Sequence, residues 1–273
     1  MKTYLYNKPL LFYILSTAIP WLFWFIAAYF SYSFPADEMW ISSIIGFIGL
    51  LSPFVIAVVM MSKNKELYQD FISRFFNIKG IKVKYILIAC FLMLTSIILA
   101  QLISLAFGYS TNQFQITDQY TFTSGVFPVW FLLIIAPLVE ELAWHSYGTD
   151  TLRQRFSLFK TSMIFALFWG LWHIPLSFIK DYYHSNLVES GAIYSINFLV
   201  SLFPFVLIMN WLYYKSKRNI IIPIIFHITA GYFNEIFSTH PMSKVIQTGL
   251  LILLSIYIIT KDKAFFFNLK TNY

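Results

Sequence analysis

Tyr85-Ile-Leu-Ile-Ala-Cys-Phe-Leu-Met-Leu-Thr-Ser-Ile-Ile-Leu-Ala-Gln-Leu-Ile-Ser-Leu-Ala-Phe107 contains no Asp, Glu, Lys or Arg in 23 residues. As a helix it would extend about 34 Å, enough to cross a hydrocarbon core of about 30 Å. Lipid offers no partner for backbone N–H and C=O groups, so such a segment must satisfy them internally as a helix. Working outward, seven more apolar stretches follow the same pattern: Leu10–Phe30, Trp40–Met61, Gly125–Tyr147, Thr161–Ile179, Gly191–Tyr214, Asn219–Phe237 and Val245–Thr260. The expected architecture is all-α: a polytopic transmembrane helical bundle of about eight spans, one integral membrane domain over residues 1–273.

Composition supports a cell-membrane location. Of 273 residues 59% are hydrophobic and 11% charged, against roughly 25% charged in soluble domains. The lone cysteine, Cys90, permits no intramolecular disulfide. The first apolar run is too long for a signal peptide's apolar region and lacks a small-residue cleavage site. A net charge of +7 does not imply nucleic acid, because the basic residues sit in short patches between apolar segments. The expected partners are the lipid bilayer and a membrane-embedded protein or peptide substrate.

Those patches encode orientation. With eight spans, 17 of the 19 Lys and Arg residues fall on one side, from Lys2 and Lys8 to Lys261, Lys263 and Lys270; Lys180 and Lys244 remain for the other. The positive-inside rule then places both termini in the cytoplasm. The basic loop from Ser62 to Lys84 interleaves Leu67, Phe71, Phe75 and Phe76 with its charges. It reads either as an amphipathic helix on the lipid surface or as a solvated loop.

Ionisable groups inside spans are costly and mark function by default. Glu140 and Glu141 lie in Ile134-Ile-Ala-Pro-Leu-Val-Glu-Glu-Leu-Ala-Trp144, His173 in Phe168-Trp-Gly-Leu-Trp-His-Ile-Pro175, and His227 in the seventh stretch. Counting 1.5 Å per residue, Glu140 is about 10 Å, His227 about 12 Å and His173 about 18 Å from the cytoplasmic ends of their spans. Three spans thus bring acid–base groups to similar depth, as hydrolysis within a membrane requires. The alternative for the carboxyl pair is a charge-neutralising role near the cytoplasmic end. Each histidine, taken alone, also reads as an ordinary core residue. Glu235 and His240 read as interfacial, His184 as an outer-loop residue, and Asn197 and Asn210 as interhelical hydrogen-bonders.

Three segments carry a family resemblance. Glu140-Glu141-Leu-Ala-Trp-His145, Trp169-Gly-Leu-Trp-His173 and His227-Ile-Thr-Ala-Gly231 resemble, in order, the Glu-Glu-x-x-x-Arg, Phe-x-x-x-His and His-x-x-x-Asn motifs of the CAAX prenyl endopeptidase and bacteriocin-processing (CPBP) family. Residues 125–240 would then hold the catalytic core helices. The resemblance implies an intramembrane endopeptidase: Glu140 activates water with His173, His227 stabilises the oxyanion, and Glu141 completes the catalytic set, with no cofactor. Two positions depart from the pattern. His145 stands where the family has Arg, and Gly231 where it has Asn, with Asn234 one turn further on. Two other readings stay open. One is a catalytically degenerate member acting as a membrane scaffold or immunity protein. The other is a zinc protease with Glu140, His173 and His227 as ligands, although no His-Glu-x-x-His helix is present. Lys-, Ile- and Phe-rich usage favours a peptide or membrane-protein substrate over a prenylated one.

Overall fold

The computed structural model of the protein describes residues 5–33, 35, 38–76, 78–117, 120–123 and 125–269; Lys2 and Lys270 of the charge count lie outside them. Twelve α-helices are present among these residues: α1 (Pro9–Ser33), α2 (Met39–Ser62), α3 (Lys65–Phe76), α4 (Val83–Leu105), α5 (Val129–Ala143), α6 (Thr149–Arg153), α7 (Leu158–Trp172), α8 (Tyr183–Ser190), α9 (Ala192–Lys215), α10 (Ile221–Glu235), α11 (Pro241–Lys261) and α12 (Lys263–Phe267). A single isolated bridge, Ile116 to Phe237, stands in place of any sheet. The expected all-α bundle is what forms.

Seven of the eight expected stretches become helical segments long and apolar enough to cross a bilayer, two of them composite: Val129–Arg153 joins α5 to α6 through a π-helical turn, and Leu158–Phe178 continues α7 into a 3₁₀ turn. The other, Asn219–Phe237, yields α10, a helix of 15 residues and about 22 Å. It packs against α4, α5 and α9. Protein surrounds it on these sides, so its length need not match the hydrocarbon core.

The bundle inverts the soluble pattern. Leu22, Tyr29, Phe91 and Leu253 point outward, while Ser96, Gln101, Ser162, Asn210 and Gln247 are buried. In lipid, apolar surface gains nothing by turning inward, and helices associate through close packing and polar contacts. Thus Gln247 Nε2 donates to Ser96 Oγ at 2.9 Å, joining α11 to α4. Trp24 Nε1 donates to the Gly46 carbonyl at 3.0 Å. A Cβ on Gly49 would lie 2.7 Å from that indole nitrogen, so only glycine permits this approach of α1 to α2.

The basic loop does form a helix, α3, with Leu67 and Phe71 buried and Tyr68 and Phe76 exposed. Two of the basic residues that read as topology signals have another role. Arg74 and Arg218 are buried at 5% and 6% exposure around Asp150 of α6. Arg74 Nη1 and Arg218 Nη2 reach Asp150 Oδ2 at 2.9 and 2.6 Å. Tyr214 donates to Asp150 Oδ1 at 2.9 Å. Burial opposes the Arg218 charge, but Asp150 outweighs it and pushes the guanidinium pKa up.

If the positive-inside rule sets the orientation, fusions of a reporter after Lys65, Arg155, Lys217 and Lys263 should report cytoplasm. A fusion near Asn186 should report the opposite side. Reversal at any central loop would overturn this topology.

Candidate active site

The chain between α5 and α6 widens into a π-helical turn, Trp144–Gly148, a distortion common at functional sites. It leaves main-chain carbonyls available to partners outside the helix. The His145 carbonyl accepts from Arg74 Nη1 at 2.9 Å and from Tyr213 OH at 2.8 Å. The Ser146 carbonyl accepts from Arg74 Nη2 at 2.7 Å. The buried cluster around Asp150 therefore holds the turn that carries the first motif.

Just before that turn, near the end of α5, the adjacent glutamates have different surroundings. Glu141 is fully buried. Its Oε2 pairs with His145 Nδ1 one turn later, and its Oε1 with His227 Nδ1 of α10 at 2.8 Å. His145 Nε2 lies 2.9 Å from Asn210 Oδ1, and Asn210 Nδ2 donates to Ser162 Oγ at 3.0 Å. Asn210 is thus the interhelical hydrogen-bonder the sequence implies. Glu140 accepts at Oε2 from two indoles, Trp169 Nε1 at 2.9 Å and Trp144 Nε1 at 3.4 Å. Trp169 occupies the aromatic position of the second motif, and tryptophan supplies an N–H that phenylalanine lacks. Glu140 Oε1 has no hydrogen-bond partner among the described residues.

His173 sits just past α7, where Ile174-Pro175 opens a 3₁₀ turn, because the residues around a proline resist a continuing α-helix. Its Nδ1 lies 2.6 Å from the Trp169 carbonyl. A carbonyl accepts only, so Nδ1 carries hydrogen and Nε2 is left for another partner. Trp169 also packs edge-on to His227, with ring centroids 5.1 Å apart. Glu140, His173 and His227 line one cavity of about 280 Å³. Glu140 and His173 also line a second of about 120 Å³, bounded by Trp24, Ser42 and Lys180. No direct hydrogen bond joins Glu140 to His173 among the described residues, but both side chains line the two shared cavities.

Two residues outside the motifs also face the site. Glu235, at the outer end of its helix, is 4% exposed, lines the larger cavity and accepts from Thr121 Oγ1 at 2.6 Å. His184 is not in a free loop. It lies on α8, and its ring stacks on that of His173 at 5.0 Å and 25°. Neither of its ring nitrogens has a hydrogen-bond partner among the described residues. Burial, then the neighbouring His173, holds its pKa well below the ordinary histidine range. No sequence motif marks His184, since its place depends on how α8 folds back. At the other departure, Asn234 Nδ2 is committed to the Ala230 carbonyl at 2.9 Å. Gly231 lines the cavity, and a Cβ there would meet Leu133 Cδ2 at an ordinary 3.6 Å.

Could the same groups hold a metal? Among the described residues no cluster of three or more His, Cys, Asp or Glu side chains is spaced to bind one ion. His227 Nδ1 and both Glu141 oxygens are already engaged with one another and with His145.

Residues 122–233, which span all three motifs, match the family described as Type II CAAX prenyl endopeptidase Rce1-like. Over 269 residues, covering 98% of each chain, the protein is 38% identical to CAAX prenyl protease 2 of Methanococcus maripaludis. The match runs through every helix that builds the cavity. The chain therefore belongs to the type II CAAX prenyl endopeptidase family, as a multi-pass intramembrane protease.

Proposed function

We propose that this protein hydrolyses a peptide bond near the C-terminus of a prenylated, membrane-anchored substrate by glutamate-activated water. The carrying observation is that Glu140, whose Oε1 has no hydrogen-bond partner among the described residues, lines the same cavity as His173 and His227. The name of the Methanococcus relative, a CAAX prenyl protease, turns the substrate expectation from any membrane peptide toward a prenylated one.

In this reading Glu140 takes a proton from water. His173, its Nδ1–H tied to the Trp169 carbonyl, accepts a hydrogen bond from that water at Nε2 and orients it. The hydroxide attacks the peptide carbonyl, and His227 donates to the oxyanion through Nε2–H. Glu140 then passes its proton to the departing amine. A base fixed by two indoles and a donor fixed by Glu141 need little reorganisation as charge develops, which is where such sites gain most. The reaction as written uses no metal, so activity should survive chelation.

His145 takes the place of the family arginine. Both of its nitrogens face acceptors, Glu141 Oε2 and Asn210 Oδ1, the pattern of a ring with an N–H at each position. With His227 likewise protonated, two positive rings balance two carboxylates. Arginine offers a permanent charge and a rigid fork of donors at this place, so His145→Arg should keep or raise cleavage of a prenylated peptide. His145→Ala should lower the rate without abolishing it. An unchanged rate in His145→Ala would remove His145 from the mechanism. Cleavage of the same peptide by wild type, by His173→Ala and after chelation tests the whole scheme.

A further inference from the structure

The larger cavity contains one Lys or Arg side chain among its lining residues, Lys244, from the first turn of α11. A lysine at a helix end ordinarily turns its ammonium toward the interface, but Lys244 instead lines the cavity and pairs with buried Glu235. Its one hydrogen-bond partner among the described residues is Glu235 Oε1 at 3.4 Å. Glu235 is already served at its other oxygen by the Thr121 hydroxyl at 2.6 Å and the Thr121 N–H at 3.3 Å. An ammonium group has three donors, so Lys244 retains two for a ligand.

The position of this cation along the cavity is informative. Glu235 follows His227 by eight residues on α10, about 12 Å along the helix axis. His227 lies level with Glu140, since Trp169 donates to Glu140 and packs on the His227 ring. Three residues of extended peptide span about 10 Å, and a hydrogen bond closes the rest. Resting on the hydrolytic reading above, we propose that Lys244 binds the C-terminal carboxylate of the substrate. The cavity then measures three residues from the cleaved bond to the chain end, the number that follow cysteine in a CAAX terminus. A peptide that continued past this point would bring no anion to Lys244.

The test separates binding from turnover. Binding of a tripeptide as free acid and as C-terminal amide is measured on the full-length protein in detergent, for wild type and Glu140→Gln. The acid should bind at least tenfold more tightly in both. Lys244→Gln should erase the preference, and Lys244→Arg should preserve it, which controls for loss of fold. Prenylated peptides with three residues beyond the prenylcysteine should be cleaved at least tenfold faster than those with five. Equal binding of acid and amide by the wild type, or an unchanged preference in Lys244→Gln, would overturn the assignment. An acid preference that depends on Lys244, without cleavage of any peptide, would support this site and defeat the hydrolytic reading instead.

Discussion

Glu140→Gln should lower cleavage by roughly a thousandfold, the scale on which a positioned general base contributes, or about 4 kcal/mol of barrier. The substitution is nearly isosteric. A glutamine oxygen can still accept from Trp169 Nε1 and Trp144 Nε1, so the fold and the cavity should survive. What it cannot do is take a proton from water. The informative result is therefore a collapse of kcat with thermal stability and tripeptide binding little changed. Wild-type turnover by Glu140→Gln would transfer the base to another group and leave the cavity as a binding site. Glu141→Gln should behave differently. It would weaken the contacts to both His145 and His227, and should lower stability as well as rate.

Asp150→Asn should have the largest effect on stability. Asp150 is fully buried between Arg74 and Arg218 and receives hydroxyls from Tyr213 at 3.0 Å and Tyr214 at 2.9 Å. Removing its charge leaves the two guanidinium groups with Asp70, whose side chain is 13% exposed, as their one remaining carboxylate among the described residues. Breaking one side of such a buried arrangement costs about 3–5 kcal/mol, and thermal unfolding in detergent should shift down by roughly 10 °C. Because Arg74 also holds the His145 and Ser146 carbonyls of the π-helical turn, residual folded protein should show reduced activity. Asp70→Asn should cost less, since water reaches that group. A Tm unchanged in Asp150→Asn would show that the cluster does not hold the turn.

The contrast between these two sites marks what could be read in the sequence. Glu140, His173 and His227 were legible because lipid penalises any ionisable group inside an apolar run, so their rarity identifies them. Asp150, Arg74 and Arg218 were not, because charged residues between spans normally meet water, and nothing local distinguishes the few that turn inward. His184 was hidden for a related reason: the short helix α8 folds back so that the ring meets His173, and such a return follows no periodicity.

Sequence by itself determined the bundle, the span limits to within a few residues, and the motif residues that share the cavity. These follow from hydropathy and from the energetic cost of charge in hydrocarbon, both of which act residue by residue. Only the tertiary structure decided the division of labour between the two glutamates, one joined to two histidines and the other to two indoles. It alone also placed Lys244 and Glu235 in the same cavity as Glu140. Side-chain pairing depends on how helices far apart in the chain meet, and no local property of either partner encodes that meeting.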